Sequence, residues 1–182
     1  LYESMWALDT AVKSGKALYA GLSNYDGETM KKAADILNEL HCPFVINQNR
    51  YSIFDRAPEK NGILEAAKTE GKGMIIFSPL AQGLLTDRYL NGIPEDSRVK
   101  TDGRFLKENS VSADYIEKAI RLNEIAKERG QTLAQMALSW VYAKEGVTSV
   151  LIGASKPQQI KENIGMANNS TFTKEELELI DE

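Results

Sequence analysis

Apolar residues in this chain keep two rhythms, short unbroken runs and longer stretches spaced three and four apart, and the two alternate. Tyr2, Met5, Trp6, Leu8 and Val12 recur at helical spacing, with Gly15 as the stop. Ala17 to Leu22 reads as a strand, followed by the polar loop Ser23-Asn24-Tyr25-Asp26-Gly27. Met30, Ala33, Ala34, Leu37 and Leu40 then mark one helix face. Phe44 to Asn47 is a second strand, and Ile63, Leu64, Ala66 and Ala67 sit on the helix after it. Met74 to Phe77 is a third, unbroken and apolar as a strand buried on both faces would be. Val147 to Ile152 is the fourth. Leu133, Met136, Ala137, Trp140 and Val141 form a helical stripe between two capping boxes, Thr132 with Gln135 and Thr173 with Glu176.

The strands begin near residues 17, 44, 74 and 147, so the first two intervals are 27 and 30 residues. That is the length of a βαβ unit, about 30 residues. The third interval, 73 residues, holds an extra helix at 114–129 and a segment, 79–113, rich in Gly, Asp, Asn and Arg. A long loop is expected there, and loops of that length in compact domains are usually functional. Four strand–helix units fit either a small open parallel sheet or half of an eight-stranded barrel, and ligands collect at the carboxyl ends of the strands in both.

Composition narrows the classes of function. The net charge of −4 argues against nucleic acid as the main partner, since phosphate binding shows as a basic excess. No apolar run approaches the ~20 residues of a membrane span. The single cysteine, Cys42, and the single histidine, His41, leave almost nothing for a disulfide framework, a zinc site or a histidine-centred triad. A cytoplasmic protein of α/β type is expected, with no membrane partner.

Polar residues stand at all four strand ends: Ser23 and Asn24, then Gln48 and Asn49, then Ser78, then Gly153-Ala154-Ser155-Lys156. The last group opens a helix carrying Gln159, Glu162 and Asn163. Ser155 is a good N-cap, the first-turn N–H groups favour an anion, and Lys156 adds charge. Phosphate binding is one reading; an ordinary capped helix with a solvated lysine is the other. Asn47, Gln48 and Asn49 could likewise satisfy backbone groups, Phe77 could be core, and Arg88, Arg98 and Arg104 could be a solvated face.

Taken together, KALYAGLSNY (16–25), NQNRYS (47–52), FSPLAQGLLT (77–86) and VLIGASKPQQIKENIG (150–165) resemble the aldo-keto reductases. GLLTDRYLNGIPEDSR, 83–98, is similar to the branch of bacterial L-glyceraldehyde-3-phosphate reductases and voltage-gated potassium channel β-subunits. The resemblance implies the C-terminal half of a (β/α)8 TIM barrel, with 1–182 a partial domain and 79–113 a loop covering the cofactor. It implies NADPH as cofactor and reduction of an aldehyde or ketone. By position, Ser23, Asn24 and Gln48 would hold the nicotinamide carboxamide and Phe77 would stack on its ring. Ser78, Pro79, Leu80 and Ala81, with Arg88 and Arg98, would follow the pyrophosphate. Gly153, Ser155, Lys156, Gln159, Glu162 and Asn163 would hold the adenosine end and its 2′-phosphate.

The family's catalytic Asp, Tyr, Lys and His belong to earlier strands and have no counterpart here. His41 follows a helix end at the opposite pole, and Tyr25 lacks the matching lysine and aspartate. The chain alone is therefore expected to be inactive, and to need either a missing N-terminal half or self-association. The alternative is a nucleotide-binding regulatory or interaction module of the channel β-subunit kind.

Overall fold

Runs of β-branched and apolar residues bounded by turns make four strands: β1 (Ala20–Ser23), β2 (Phe44–Arg50), β3 (Gly73–Phe77) and β4 (Val147–Val150). All neighbours are parallel and the order is β1-β2-β3-β4, the sequential order of a barrel and not the crossed order of an open sheet. The structure, a computed structural model, describes residues 1–95, 98–101 and 111–182, with only the backbone of Arg98 and Thr101. The helices are α1 (Tyr2–Lys13), α2 (Gly27–Glu39), α3 (Ala57–Lys60), α4 (Ile63–Thr69), α5 (Arg98–Thr101), α6 (Ala113–Glu128), α7 (Leu133–Tyr142), α8 (Pro157–Ile164) and α9 (Lys174–Asp181). Among the described residues no helix is long and apolar enough to cross a membrane.

The chain forms two compact units. The first comprises Leu1–Tyr51, Asp55–Phe77 and Lys144–Leu151, and so holds the whole sheet. The register sorts its strand residues into two faces. Leu22, Asn47 and Met74 line up across one face and are buried, in the same core as Met30, Ala33, Ala34 and Leu37 of α2 and Ile63, Ala66 and Ala67 of α4. Each fully buried Leu, Ile or Met contributes about 1.5–3 kcal/mol. On the other face the row Gly21–Ile46–Gly73 lies below the row Ser23–Gln48–Ile75–Ser149. Ile46 rests between two glycines: a Cβ on Gly21 or Gly73 would meet its side chain at 3.1 or 3.2 Å.

The second unit comprises Ser52–Phe54, Ser78–Ala143 and Ile152–Glu182. Its helices start on deliberate caps: the Ser112, Thr132 and Thr173 hydroxyls accept from the N–H groups of Tyr115, Gln135 and Glu176. Arg129 joins the segments of this unit. Its guanidinium, 2% exposed, donates to Gln131 Oε1, Glu176 Oε2 and the carbonyls of Asn169 and Thr171, and lies over the Phe172 ring at 3.8 Å.

Several boundaries differ from the sequence reading. β1 starts at Ala20, leaving Leu18 81% exposed, because the N–H groups of Lys16 and Ala17 are spent on the Ala11 carbonyl that closes α1. β2 runs three residues further, its polar tail paired through Arg50 with Phe77, while β4 stops at Val150. β3 is buried on one face only; Ile75 and Phe77 are half-buried. The 79–113 segment is not simply loop. It has 3-10 turns at Ala81–Gly83 and Asp87–Tyr89, the short α5, and an apolar cluster of Leu84, Tyr89, Val99 and Val111. Arg104 lies outside the described residues.

The first turn of α2 approaches the backbone before α4 so closely that a Cβ on Gly27 would meet the Gly62 carbonyl oxygen at 2.4 Å. Backbone cannot swing aside as a side chain can. Gly27→Ala is expected to destabilise the chain by about 1–3 kcal/mol, the cost of overpacking, read by denaturant unfolding. An unchanged midpoint would show that this contact yields freely.

Candidate functional site

At the carboxyl ends of β1 and β2, three polar residues are tied to one another. After Ser23 the backbone turns left-handed at Asn24, φ 61°, a conformation that asparagine tolerates better than most. Its N–H donates to the Gln48 carbonyl at 2.9 Å, and its Nδ2 donates to Ser23 Oγ at 3.0 Å. Asp26 then caps α2 by accepting from the Thr29 N–H at 2.8 Å, and that backbone hydrogen bond holds its carboxyl below the usual range.

The three consecutive amides of β2 have separate jobs. Asn49 is buried and donates to the Tyr25 carbonyl at 3.1 Å, pinning the loop after β1. Asn47, also buried, donates to Asn49 Oδ1. Both are structural. Gln48 faces the other way, half-buried in the row with Ser23. Among the described residues nothing donates to or accepts from its side-chain amide. Phe77 lies on that same face, in register with Arg50.

Arg50 is a residue the sequence reading missed. Its Nε donates to Asp55 Oδ2 at 2.5 Å. Counting two on from Gln48 along a strand would have placed it on the same face.

The remaining candidates belong to the second unit. Ser78, Pro79, Leu80 and Ala81 form a tight turn, with Ala81 N–H donating to Ser78 O at 2.9 Å and Gly83 N–H to Leu80 O at 2.8 Å. Ser78, Ala81 and Gln82 all adopt positive φ, at 53°, 47° and 61°. Such backbone costs on the order of 1–3 kcal/mol per residue and clusters at ligand sites. Arg88 is exposed in the Asp87–Tyr89 turn, and Arg98 opens α5.

The last group requires a correction. Ser155 is not the N-cap of α8; Lys156 is, and Pro157 occupies the first turn. A residue before proline is pushed to extended backbone, and Lys156 sits at φ −137°, ψ 141°. Pro157 has no N–H to offer, and the two N–H groups just before the helix are already taken. Gln159 Oε1 accepts from Ser155 N at 2.8 Å, Lys156 N at 3.1 Å and Ser155 Oγ at 3.2 Å. Gly153, Ser155, Lys156 and Glu162 are exposed, whereas Asn163 is buried.

A cavity of about 260 Å3 in the first unit is lined by Tyr51, Glu59, Lys68, Lys144 and Glu145 among others. Its charges are spent on one another: Lys68 with Glu145 at 2.6 Å, Lys144 with Glu59 at 3.3 Å, and Tyr51 Oη donating to Glu59 at 2.5 Å. Burial pushes the Glu59 carboxyl up, but hydrogen bonds from Tyr51 and Arg56 and the nearby cations outweigh it, so the net shift is downward. Among the described residues no cluster of His, Cys, Asp and Glu could hold a metal ion.

The model of the aldo/keto reductase family matches residues 1–182. The chain is 47% identical over 183 residues to an L-glyceraldehyde 3-phosphate reductase of Escherichia coli O157:H7, covering 99% of this chain and 53% of that protein. It is 34% identical over 165 residues to a probable voltage-gated potassium channel subunit beta of Oryza sativa subsp. japonica, covering 89% of this chain and 50% of the relative. The solved glycerol dehydrogenase of Gluconobacter oxydans superposes with a TM-score of 0.75 at 27% identity, over 99% of this chain and 53% of that one. The chain thus spans about half the length of the relatives it matches.

Two outcomes follow from these geometries. Because Asn24 is left-handed, Asn24→Gly should keep stability to within a few tenths of a kcal/mol, while Asn24→Val should lose at least about 1–2 kcal/mol. Equal melting of both variants would refute the conformational role. Glu59, with its lowered folded value, contributes stability that is full above about pH 4.3, the unperturbed Glu value, and is lost as pH falls through the folded value. Glu59→Gln should therefore flatten the acid limb of the melting temperature below that pH, and leave its shape near neutrality alone.

Proposed function

The chain belongs to the aldo/keto reductase family, and we propose that it supplies the NADPH-holding half of a reductase converting aldehydes or ketones to alcohols. The observation that carries this reading is the linked set Ser23, Asn24 and Gln48, with Phe77 on the same sheet face. The donor set fits the group. A carboxamide needs one donor and up to two acceptors in fixed places, and a hydroxyl beside two primary amides offers both kinds. When bound, NADPH supplies the hydride that reduces the carbonyl carbon.

In this reading Ser23, Asn24 and Gln48 hold the carboxamide and so fix which face of the ring is presented. Phe77 offers an apolar surface to the ring. Ser78 to Ala81 direct backbone groups at the pyrophosphate, with Arg88 and Arg98 as counter-charges. Gly153, Ser155, Lys156, Gln159, Glu162 and Asn163 hold the adenosine end. Gln159 must release the N–H groups of Ser155 and Lys156 and the Ser155 hydroxyl before these can turn to a phosphate, so the Lys156 ammonium is the first contact. The proton for the nascent alkoxide is not assigned to this chain. The first substrate class to test is a phosphorylated triose aldehyde, after the activity in the name of the Escherichia coli relative.

Cofactor preference is the direct test. Lys156→Ala should weaken NADPH by about ten- to a hundredfold, the worth of one charge-assisted hydrogen bond, and leave NADH nearly unchanged. Equal losses in fluorescence titration would mean that Lys156 only caps α8. A second test concerns turnover. Positioned acid catalysis contributes about 10² to 10⁴-fold, so the chain alone should not oxidise NADPH with any aldehyde. Turnover proportional to protein and abolished by Tyr25→Phe would overturn that assignment.

A further inference from the structure

The carbonyls at the end of α8 and in the turn after it do not go to solvent. Gln135 Nε2 donates to Glu162 O at 2.7 Å, Ser139 Oγ lies 2.9 Å from Met166 O, and Gln131 Nε2 donates to Asn169 O at 3.0 Å. These three side chains are spaced four residues apart, one before α7 and two on it, so they form one polar row. Helix ends leave such carbonyls without intrahelical partners. Here Glu162 O also accepts from the Gly165 N–H and Asn169 O from Arg129, and the row before and on α7 adds a further donor to each.

Gln135 is the central member, and both ends of its amide are used. Its Oε1 accepts from the Thr132 N–H at 3.0 Å, completing the capping box of α7, while its Nε2 reaches Glu162 O. Only this orientation of the amide satisfies both bonds. Gly165 makes room for it: a Cβ there would meet Gln135 Nε2 at 2.5 Å, although the Gly165 backbone, φ −57°, would suit alanine.

We infer that Gln135 is a positioning residue for the adenosine end of the cofactor, acting through α8 on Gln159, Glu162 and Asn163. This rests on the NADPH reading above. Gln135 touches none of the proposed ligand's atoms; it fixes the helix that carries those that do.

Gln135→Glu separates its two bonds. A glutamate at this position keeps the capping box, but sets a carboxylate oxygen against the Glu162 carbonyl. The variant should bind NADPH about five- to tenfold more weakly, the value of one lost hydrogen bond. It should bind reduced nicotinamide mononucleotide, which lacks the adenosine half, as wild type does. Gly165→Ala, which displaces the amide without altering it, should act in the same direction. Losses of equal size for both nucleotides, or none for either, would overturn the inference. Amide hydrogen exchange judges it without any nucleotide: residues 163–169 should exchange faster in Gln135→Glu while α7 keeps its protection. Unchanged exchange there would overturn the inference. If wild type bound no NADPH at all, the cofactor reading would fail, and the exchange arm would still decide whether Gln135 positions α8.

Discussion

The two-residue period of β2 is the constraint from which the candidate site follows. Parallel pairing to β1 on one side and β3 on the other leaves the strand no freedom to slip. Asn47 and Asn49 are therefore committed to the buried face, where they serve the loop after β1. Gln48, between them, is committed to the opposite face beside Ser23. A slip of one residue would exchange these places, burying Gln48 and exposing the two amides that hold the loop after β1. Everything proposed for the nicotinamide end depends on that parity.

Backbone strain is distributed in a way that fits this organisation. Of the five non-glycine residues at positive φ among the described residues, Asn24 follows β1, and Ser78, Ala81 and Gln82 follow β3. His41, which precedes β2, is the exception. Left-handed backbone of this kind is costly and is found most often at functional sites.

Much of this was legible in the sequence, because the signals were local and strong. Strand–helix alternation, two capping boxes and four polar strand ends all point to a parallel sheet with its ligands at one edge. What was not legible needed partners distant in the chain. Asn47, Gln48 and Asn49 look alike as letters, and only the register to β1 and β3 gives them different work. Ser155 looked like a cap on side-chain preference alone, yet Pro157 moves the cap to Lys156, and that proline was in view. Arg50 lies beyond the strand end expected at Asn47, although alternation from Gln48 puts it on the same face. The apolar cluster inside 79–113 was hidden because Leu84, Tyr89, Val99 and Val111 share no periodicity.

Arg129 has a consequence for how the chain can be handled. Its charge is 2% exposed and, among the described residues, is paired with the carboxylate of Glu176 on α9. Removing one partner of a buried pair costs about 3–5 kcal/mol, because the stranded charge remains. Lysine could not take over, having neither the planar fork that reaches four acceptors nor the flat face over Phe172. Helix α9 thus acts as the carrier of a counter-ion for Arg129. Any deletion that removes Glu176 leaves the buried Arg129 charge without that carboxylate.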